Sequence, residues 1–211
     1  MEERKMEIAT LAGGCFWCTE AVFERVKGTI KVIPGFTGGN IKNPAYREIT
    51  TGRTGHAEAI QIHFDSSEVT YQELLYIFFS THDPTTLNRQ QYDVGTQYRS
   101  AIFYHSEEQK KTAEKVIAKL EEEGIFEDPI VTELTEAPVF YEAEPEHKEY
   151  YSNHRQQQYC QAIIDPKIKK LKEYYADMVK TRWRKPIEVF MTDKNDEMQE
   201  VAFDPAKHMG K

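Results

Sequence analysis

The segment that most constrains this chain is Gly13-Gly14-Cys15-Phe16-Trp17-Cys18. Before it, Glu7 to Ala12 reads as a short strand. After it, Thr19-Glu20-Ala21-Val22-Phe23-Glu24-Arg25-Val26 has helical spacing, with Gly28 as its stop. A strand that turns through paired glycines into a helix sets Cys15 near the helix N-terminus, where free backbone N–H groups and the helix dipole favour a thiolate. The expectation is a nucleophilic cysteine with a lowered pKa. A merely buried thiol would not require Gly-Gly before it and Phe-Trp after it.

The other cysteines are Cys18 and Cys160, giving an odd total of 3 in 211 residues. A chain of this length buries a core without disulfide staples, so its thiols call for chemistry or burial, and a reducing, cytoplasmic setting is expected. Cys18 completes a Cys-x-x-Cys spacing, which suits a vicinal redox pair or half a zinc site. The net charge of -8 opposes a polyanionic partner, and no basic run is interleaved with aromatics, so nucleic acid is not expected. The charged start, Met1 to Glu7, has no apolar stretch fit for a signal peptide or a membrane span, so no membrane association is expected. A monomer is the default.

Strand and helix signals alternate along the rest of the chain, which gives an α+β or α/β class. Thr29 to Phe36 reads as a strand and Thr37 to Asn43-Pro44 as a loop before Tyr46. Thr70-Tyr71-Gln72-Glu73 is a capping box opening a helix through Phe79, which Asp83-Pro84 must end. Thr85 to Arg99 is polar and turn-rich, Ser100 to Tyr104 a strand, and Ser106 to Glu123 a helix with a Ser106/Gln109 box and Gly124 as its stop. Further expectations are a strand at Ile130 to Leu134 and a helix from Pro145 to His154. A last helix opens at Asp165-Pro166, with Ile168, Leu171, Tyr175 and Met178 facing inward. Periodicity fades from Thr181, so residues 1–180 read as one domain and 181–211 as an extension.

Alternation in His56 to Phe64 puts Glu58 on the face that carries Ile60, Ile62 and Phe64. A carboxyl buried there without a cation stays protonated near neutrality and serves as a proton donor. Tyr46, Asp93 and Tyr98 lie in polar turns where phenol and carboxyl groups converge in an active site, although each also reads as an ordinary surface residue. His56 and His82 are candidate bases, with a structural role the commoner outcome.

These residues match a specific pattern: Gly14-Cys15-Phe16-Trp17, Thr54-Gly55-His56-Ala57-Glu58, His82-Asp83-Pro84-Thr85, and Asp93-Val94-Gly95-Thr96-Gln97-Tyr98-Arg99-Ser100. In this order, from about Glu7 to about Lys172, they resemble the A-type peptide methionine sulfoxide reductases. The resemblance implies an α/β plait: a two-layer, ferredoxin-like core with a mixed sheet and a coil-rich C-terminal part. It implies that Cys15 is the nucleophile, Glu58 the proton donor, Tyr46 and Tyr98 the hydroxyls on the sulfoxide oxygen, Asp93 their polar partner, and Phe16 and Trp17 the pocket wall. It further implies reduction of the S epimer, peptide-bound and free, through a sulfenic acid and a disulfide recycled by thioredoxin, or by dithiothreitol in vitro, with no bound cofactor. The family commonly has glycine where this chain has Cys18, so Cys160 and Cys18 both stand as resolving thiols. Cys160 is slightly favoured because it matches a Tyr-Cys segment of similar reductases, and a relay through both is open. Two rival readings are a thioredoxin-like dithiol carrier and a zinc-stabilised interaction module using the cysteines with His147 or His154.

Overall fold

The computed structural model describes residues 5–183, so the expected extension lies outside the described residues apart from Thr181–Trp183. The elements run β1 (Met6–Gly13), α1 (Phe16–Phe23), β2 (Thr29–Thr37), α2 (Tyr46–Ile49), β3 (Ala57–Asp65), α3 (Tyr71–Thr81), β4 (Arg89–Gln90) and β5 (Asp93–Val94). They continue through β6 (Ser100–Tyr104), α4 (Glu107–Glu122), β7 (Glu133–Glu136), β8 (Tyr141–Glu142), α5 (Tyr150–Asn153), a π-helical turn at Cys160–Ile164, and α6 (Asp165–Tyr174).

The main sheet has the order β7-β6-β1-β3-β2-β8. Its centre, β6-β1-β3-β2, is antiparallel throughout, and β7 joins β6 in parallel, which makes the sheet mixed. The units β1-α1-β2 and β3-α3-β6 interleave so that β1 and β3 lie side by side, the ferredoxin-like plait. Strand alternation sorts the side chains by face. Leu11, Ile60, Ile62, Phe64 and Ile102 enter the helix-side core, while Ala12, Ala57, Ala59, Ala101 and Phe103 form a smaller cluster on the other side.

Helix α3 is buried through Leu74, Leu75, Tyr76, Ile77, Phe78 and Phe79, each worth about 1.5–3 kcal/mol of transfer energy if large and apolar. Its capping box forms as expected: Thr70 Oγ1 accepts from Glu73 N–H, and Glu73 Oε2 accepts from Thr70 N–H at 2.7 Å. At α4 only half the expected box forms. Ser106 Oγ accepts from Gln109 N–H, but the Gln109 side-chain oxygen accepts the His105 N–H rather than that of Ser106, and its amide donates to Ile8 O at 2.7 Å and so fastens α4 to β1.

Several local expectations shift. Helix α1 begins at Phe16 rather than Thr19, so Cys18 lies within it. Strand β7 begins at Glu133 rather than Ile130, because Val131 N–H is held by Pro84 O instead of a strand neighbour. The helix expected over Pro145 to His154 breaks at Glu149, which takes φ 52° to donate its N–H to the buried Glu20 carboxyl at 2.9 Å. The loop before Tyr46 ends in the short α2, and Met178 is only half-buried whereas Ile168, Leu171 and Tyr175 are buried.

Candidate active site

The turn from β1 into α1 has room for nothing larger than glycine. Gly14 has φ 91°, and a Cβ there would lie 2.5 Å from Gln90 Cγ; at Gly13 it would lie 2.9 Å from the Phe78 ring. The backbone is thereby pressed against the β4–β5 hairpin and α3, and Cys15 emerges as the N-cap of α1. From the neighbouring strand β3, Glu58 Oε2 accepts the Phe16 backbone N–H at 3.0 Å. Glu58 is 1% exposed, and burial pushes its carboxyl up to about 8, with Asp93 and Cys18 adding to the shift.

The lowered pKa expected for Cys15 is not what the surroundings give. Burial raises its thiol well above the ordinary value, and the Cys18 and Glu58 beside it act in the same direction. The Phe16 N–H at the start of α1 is bonded to Glu58 rather than to the Cys15 sulfur. Cys18 goes the other way, lowered first by its hydrogen bond with Cys15 and then by Lys167 and Tyr159. The two thiols titrate as a pair, with charge favoured on Cys18.

All the cysteines meet in one cluster: Cys15, Cys18, Ala21, Tyr151, Cys160, Ile164 and Ile168. They are free thiols, and Cys160, at 0% exposure, feels the charge of Cys18. The expected pocket residues gather on the same side. Tyr46 and Tyr98 are half-buried, and burial together with Glu58 raises both phenols, which keeps them as O–H donors. Asp93 differs from expectation: it accepts from Tyr159 O–H at 3.2 Å, and no hydrogen bond joins it to Tyr46 or Tyr98. Phe16 is fully enclosed against Phe36, Tyr46 and His147, so it backs the wall while the partly exposed Trp17 fronts it. The Trp17 ring lies 3.7 Å from Tyr150 in a parallel stack, and its indole N–H donates to His147 Nδ1.

The candidate bases are structural. His56 accepts from Gly39 N–H and bonds Ile41 O, pinning the loop after β2. His82 bridges Phe78 O and Ser100 Oγ, and burial lowers its pKa to about 3. His147 is engaged by Trp17, and His154 by Tyr150 O and the Tyr150 ring. Sequence reasoning missed Tyr159, whose hydroxyl lies 3.6 Å from Cys18 Sγ, and Lys167, which is 8% exposed and bonded to Thr81 O. It also missed Tyr150 as the cover of Trp17. Adjacency to Cys160 was a signal for Tyr159; nothing in the pattern of α6 marked Lys167.

A proton-bearing buried carboxyl beside a vicinal dithiol, with phenol donors and an aromatic wall, suits reduction of a polar, weakly electrophilic oxide. The family model for peptide methionine sulfoxide reductase matches residues 7–179. The chain belongs to this family. A peptide methionine sulfoxide reductase MsrA of Saccharolobus solfataricus is 55% identical over 175 residues, covering 83% of this chain and 98% of that protein. Its counterpart in Sulfolobus acidocaldarius is 56% identical over 177 residues, covering 84% and 99%. Among solved structures, reduced Mxr1 of Saccharomyces cerevisiae superposes with a TM-score of 0.68 at 32% identity, over 74% of this chain and 90% of that one. Methionine sulfoxide reductase A of Corynebacterium diphtheriae gives 0.66 at 34%, over 74% and 78%. This reductase is thus an oxidoreductase that returns methionine sulfoxide to methionine by cysteine chemistry, which sets aside the dithiol-carrier and zinc-module readings.

Proposed function

We propose that Cys15 attacks the sulfur of methionine S-sulfoxide, peptide-bound or free, while Glu58 protonates its oxygen. The observation that carries this reading is the buried Glu58 carboxyl, held at about 8 and bonded to the N–H next to Cys15. A sulfoxide is a poor electrophile until its oxygen is protonated, and Tyr46 and Tyr98 add O–H donors there. As the Cys15 sulfur bonds to the sulfoxide sulfur, the Glu58 proton passes to oxygen. The hydroxyl then transfers to the Cys15 sulfur, the sulfoxide S–O bond breaks, methionine leaves, and the thiol proton of Cys15 restores Glu58. Cys15 is left as a sulfenic acid. Trp17 takes the S-methyl group by sulfur–aromatic contact, and Asp93 acts through Tyr159.

Charge favoured on Cys18 over Cys15 supports Cys18, rather than Cys160, as the first resolving thiol, with Cys160 as a second station in the same buried cluster. Thioredoxin is the final reductant, and dithiothreitol replaces it in vitro. The reductase acts as a cytoplasmic monomer on oxidised proteins and peptides. Its catalytic unit spans residues 1–180, and residues 181–211 form an extension.

The test incubates the protein with dithiothreitol and each epimer of a methionine sulfoxide peptide, beside Cys15→Ser. Turnover of the S epimer alone, abolished in the variant, is expected; equal activity of C15S would overturn the assignment. Under thioredoxin, Cys18→Ser is expected to lose turnover yet release one methionine per chain, and the same behaviour from Cys160→Ser alone would reverse the order of resolution.

A further inference from the structure

Lys167 is a buried cation for which the chemistry above has no use. It sits on the first turn of α6, just after the π-turn that holds Cys160, and its ammonium donates to Thr81 O at 2.6 Å. Among the described residues it forms no ion pair with a carboxylate. Burying an ammonium on one neutral carbonyl is expensive, and a methionine or leucine would fill the same helix position. Its flanking residues Ile164 and Ile168 pack in the cluster that encloses Cys15, Cys18 and Cys160. The charged or titratable groups around Lys167 are Cys18 and Cys15 on α1 and Asp93 on β5, which act on its charge, and His82, Asp83 and Lys170, which line a cavity with it. Burial lowers the Lys167 pKa, and Cys18 is the foremost of the groups that oppose this and favour its charge.

We propose that Lys167 is a positioning residue for recycling, the counter-cation that holds negative charge on Cys18 when Cys18 attacks the oxidised Cys15. This rests on the reading of Cys15 as nucleophile and Cys18 as first resolving thiol. In that step the Cys18 thiolate bonds to the Cys15 sulfur and the S–O bond of the sulfenic acid breaks. Hydroxide leaves as water by taking up the proton that Cys18 had lost, so the sum is sulfenic acid plus thiol to disulfide plus water. No external oxidant or reductant enters until the disulfide is reduced. Attack by the sulfoxide-reducing thiol, Cys15, precedes this event and draws its proton transfer from Glu58. Lys167 therefore separates the stages: its loss falls mainly on disulfide formation.

The experiment is rapid-quench single turnover without reductant on the full chain, following methionine release and, separately, loss of the Cys18 thiol, for wild type, Lys167→Met and Lys167→Arg. Removing an adjacent cation raises a thiol pKa by about 1–3 units. Each unit lowers the thiolate tenfold while raising its nucleophilicity about threefold. For K167M the pH midpoint of disulfide formation is expected to rise by about 2 units, and its rate near neutral pH to fall about tenfold. Methionine release is expected to change far less, and K167R to recover most of the loss. An unshifted midpoint, or equal slowing of both stages, overturns the proposal. A second measurement keeps Lys167 in place: in Cys15→Ser protein, alkylation of Cys18 by iodoacetamide is expected to titrate below the ordinary thiol value of about 8.5, and a midpoint at or above it also overturns the proposal. Should Cys15→Ser itself release methionine, the underlying reading fails instead, and the outcomes are thus distinguishable.

Discussion

Replacing Glu58 by glutamine is expected to cripple turnover and to make the protein more stable. The Glu58 carboxyl is held at about 8 in the fold against an ordinary 4.5, so the native state binds its proton more tightly than the unfolded chain does. Stability linked to that proton is fully present below 4.5 and is lost as pH rises through 8. The loss amounts to about 1.4 kcal/mol per pH unit, reaching about 3 kcal/mol at pH 7 and about 5 kcal/mol above pH 8. Glutamine never ionises, and its amide oxygen still accepts the Phe16 N–H, so E58Q escapes this cost. For a domain of this size, 3 kcal/mol corresponds to roughly 6–12 °C in Tm. Urea denaturation of both proteins at about pH 5, 7 and 8.5 reads the gap, which is expected to be small at the first and widen at each step. Turnover is expected to fall at least about 100-fold. A variant less stable than wild type at neutral pH, or a gap independent of pH, would refute the claim that the fold holds a proton on this carboxyl.

His82 acts in the opposite pH range. Its pKa, lowered to about 3, makes it a source of stability present above the ordinary 6.5 and lost as pH falls toward 3. Thermal denaturation of His82→Gln is expected to start from a lower Tm, for want of the Ser100 bond, and to decline less steeply below about pH 6. Gly14→Ala forces a side chain into φ 91° and against Gln90, and chemical denaturation should show a loss of about 1–3 kcal/mol. Tyr46→Phe and Tyr98→Phe each remove an O–H donor, and each should lower kcat, with the double variant down about 100- to 1000-fold and circular dichroism unchanged.

The α+β class and the glycine turn that sets Cys15 at a helix start were legible in sequence because they rest on local signals, while the plait came with the family resemblance. Gly13-Gly14 marks a turn that admits no side chain, the alternation of Glu58 with Ile60, Ile62 and Phe64 marks one sheet face, and Thr70 with Glu73 marks a helix start. What was misread depends on long-range partners. The helix over Pro145 to His154 breaks because Glu149 bonds Glu20, more than a hundred residues earlier. Cys15 was given a lowered pKa from its helix terminus, but the partner that takes the Phe16 N–H comes from another strand. The link of Asp93 to Tyr159 joins residues 66 positions apart, and a lysine in the amphipathic pattern of α6 looks like any solvated lysine until the fold buries it.

Each strand of the plait precedes Ala143, whereas Tyr150, Tyr151, Tyr159, Cys160 and Lys167 follow it. The arm that bears them runs on to the Val26–Val179 bridge and to Trp183, whose ring lies 4.1 Å from the Arg25 guanidinium at the end of α1. During translation the sheet and the turn that carries Cys15 therefore emerge first, and the residues that enclose Cys15 and set Cys160 beside it emerge later. A nascent chain that has completed its sheet carries Cys15 without its enclosure, open to adventitious oxidation. The final residues of the arm close that interval by latching onto the first helix made.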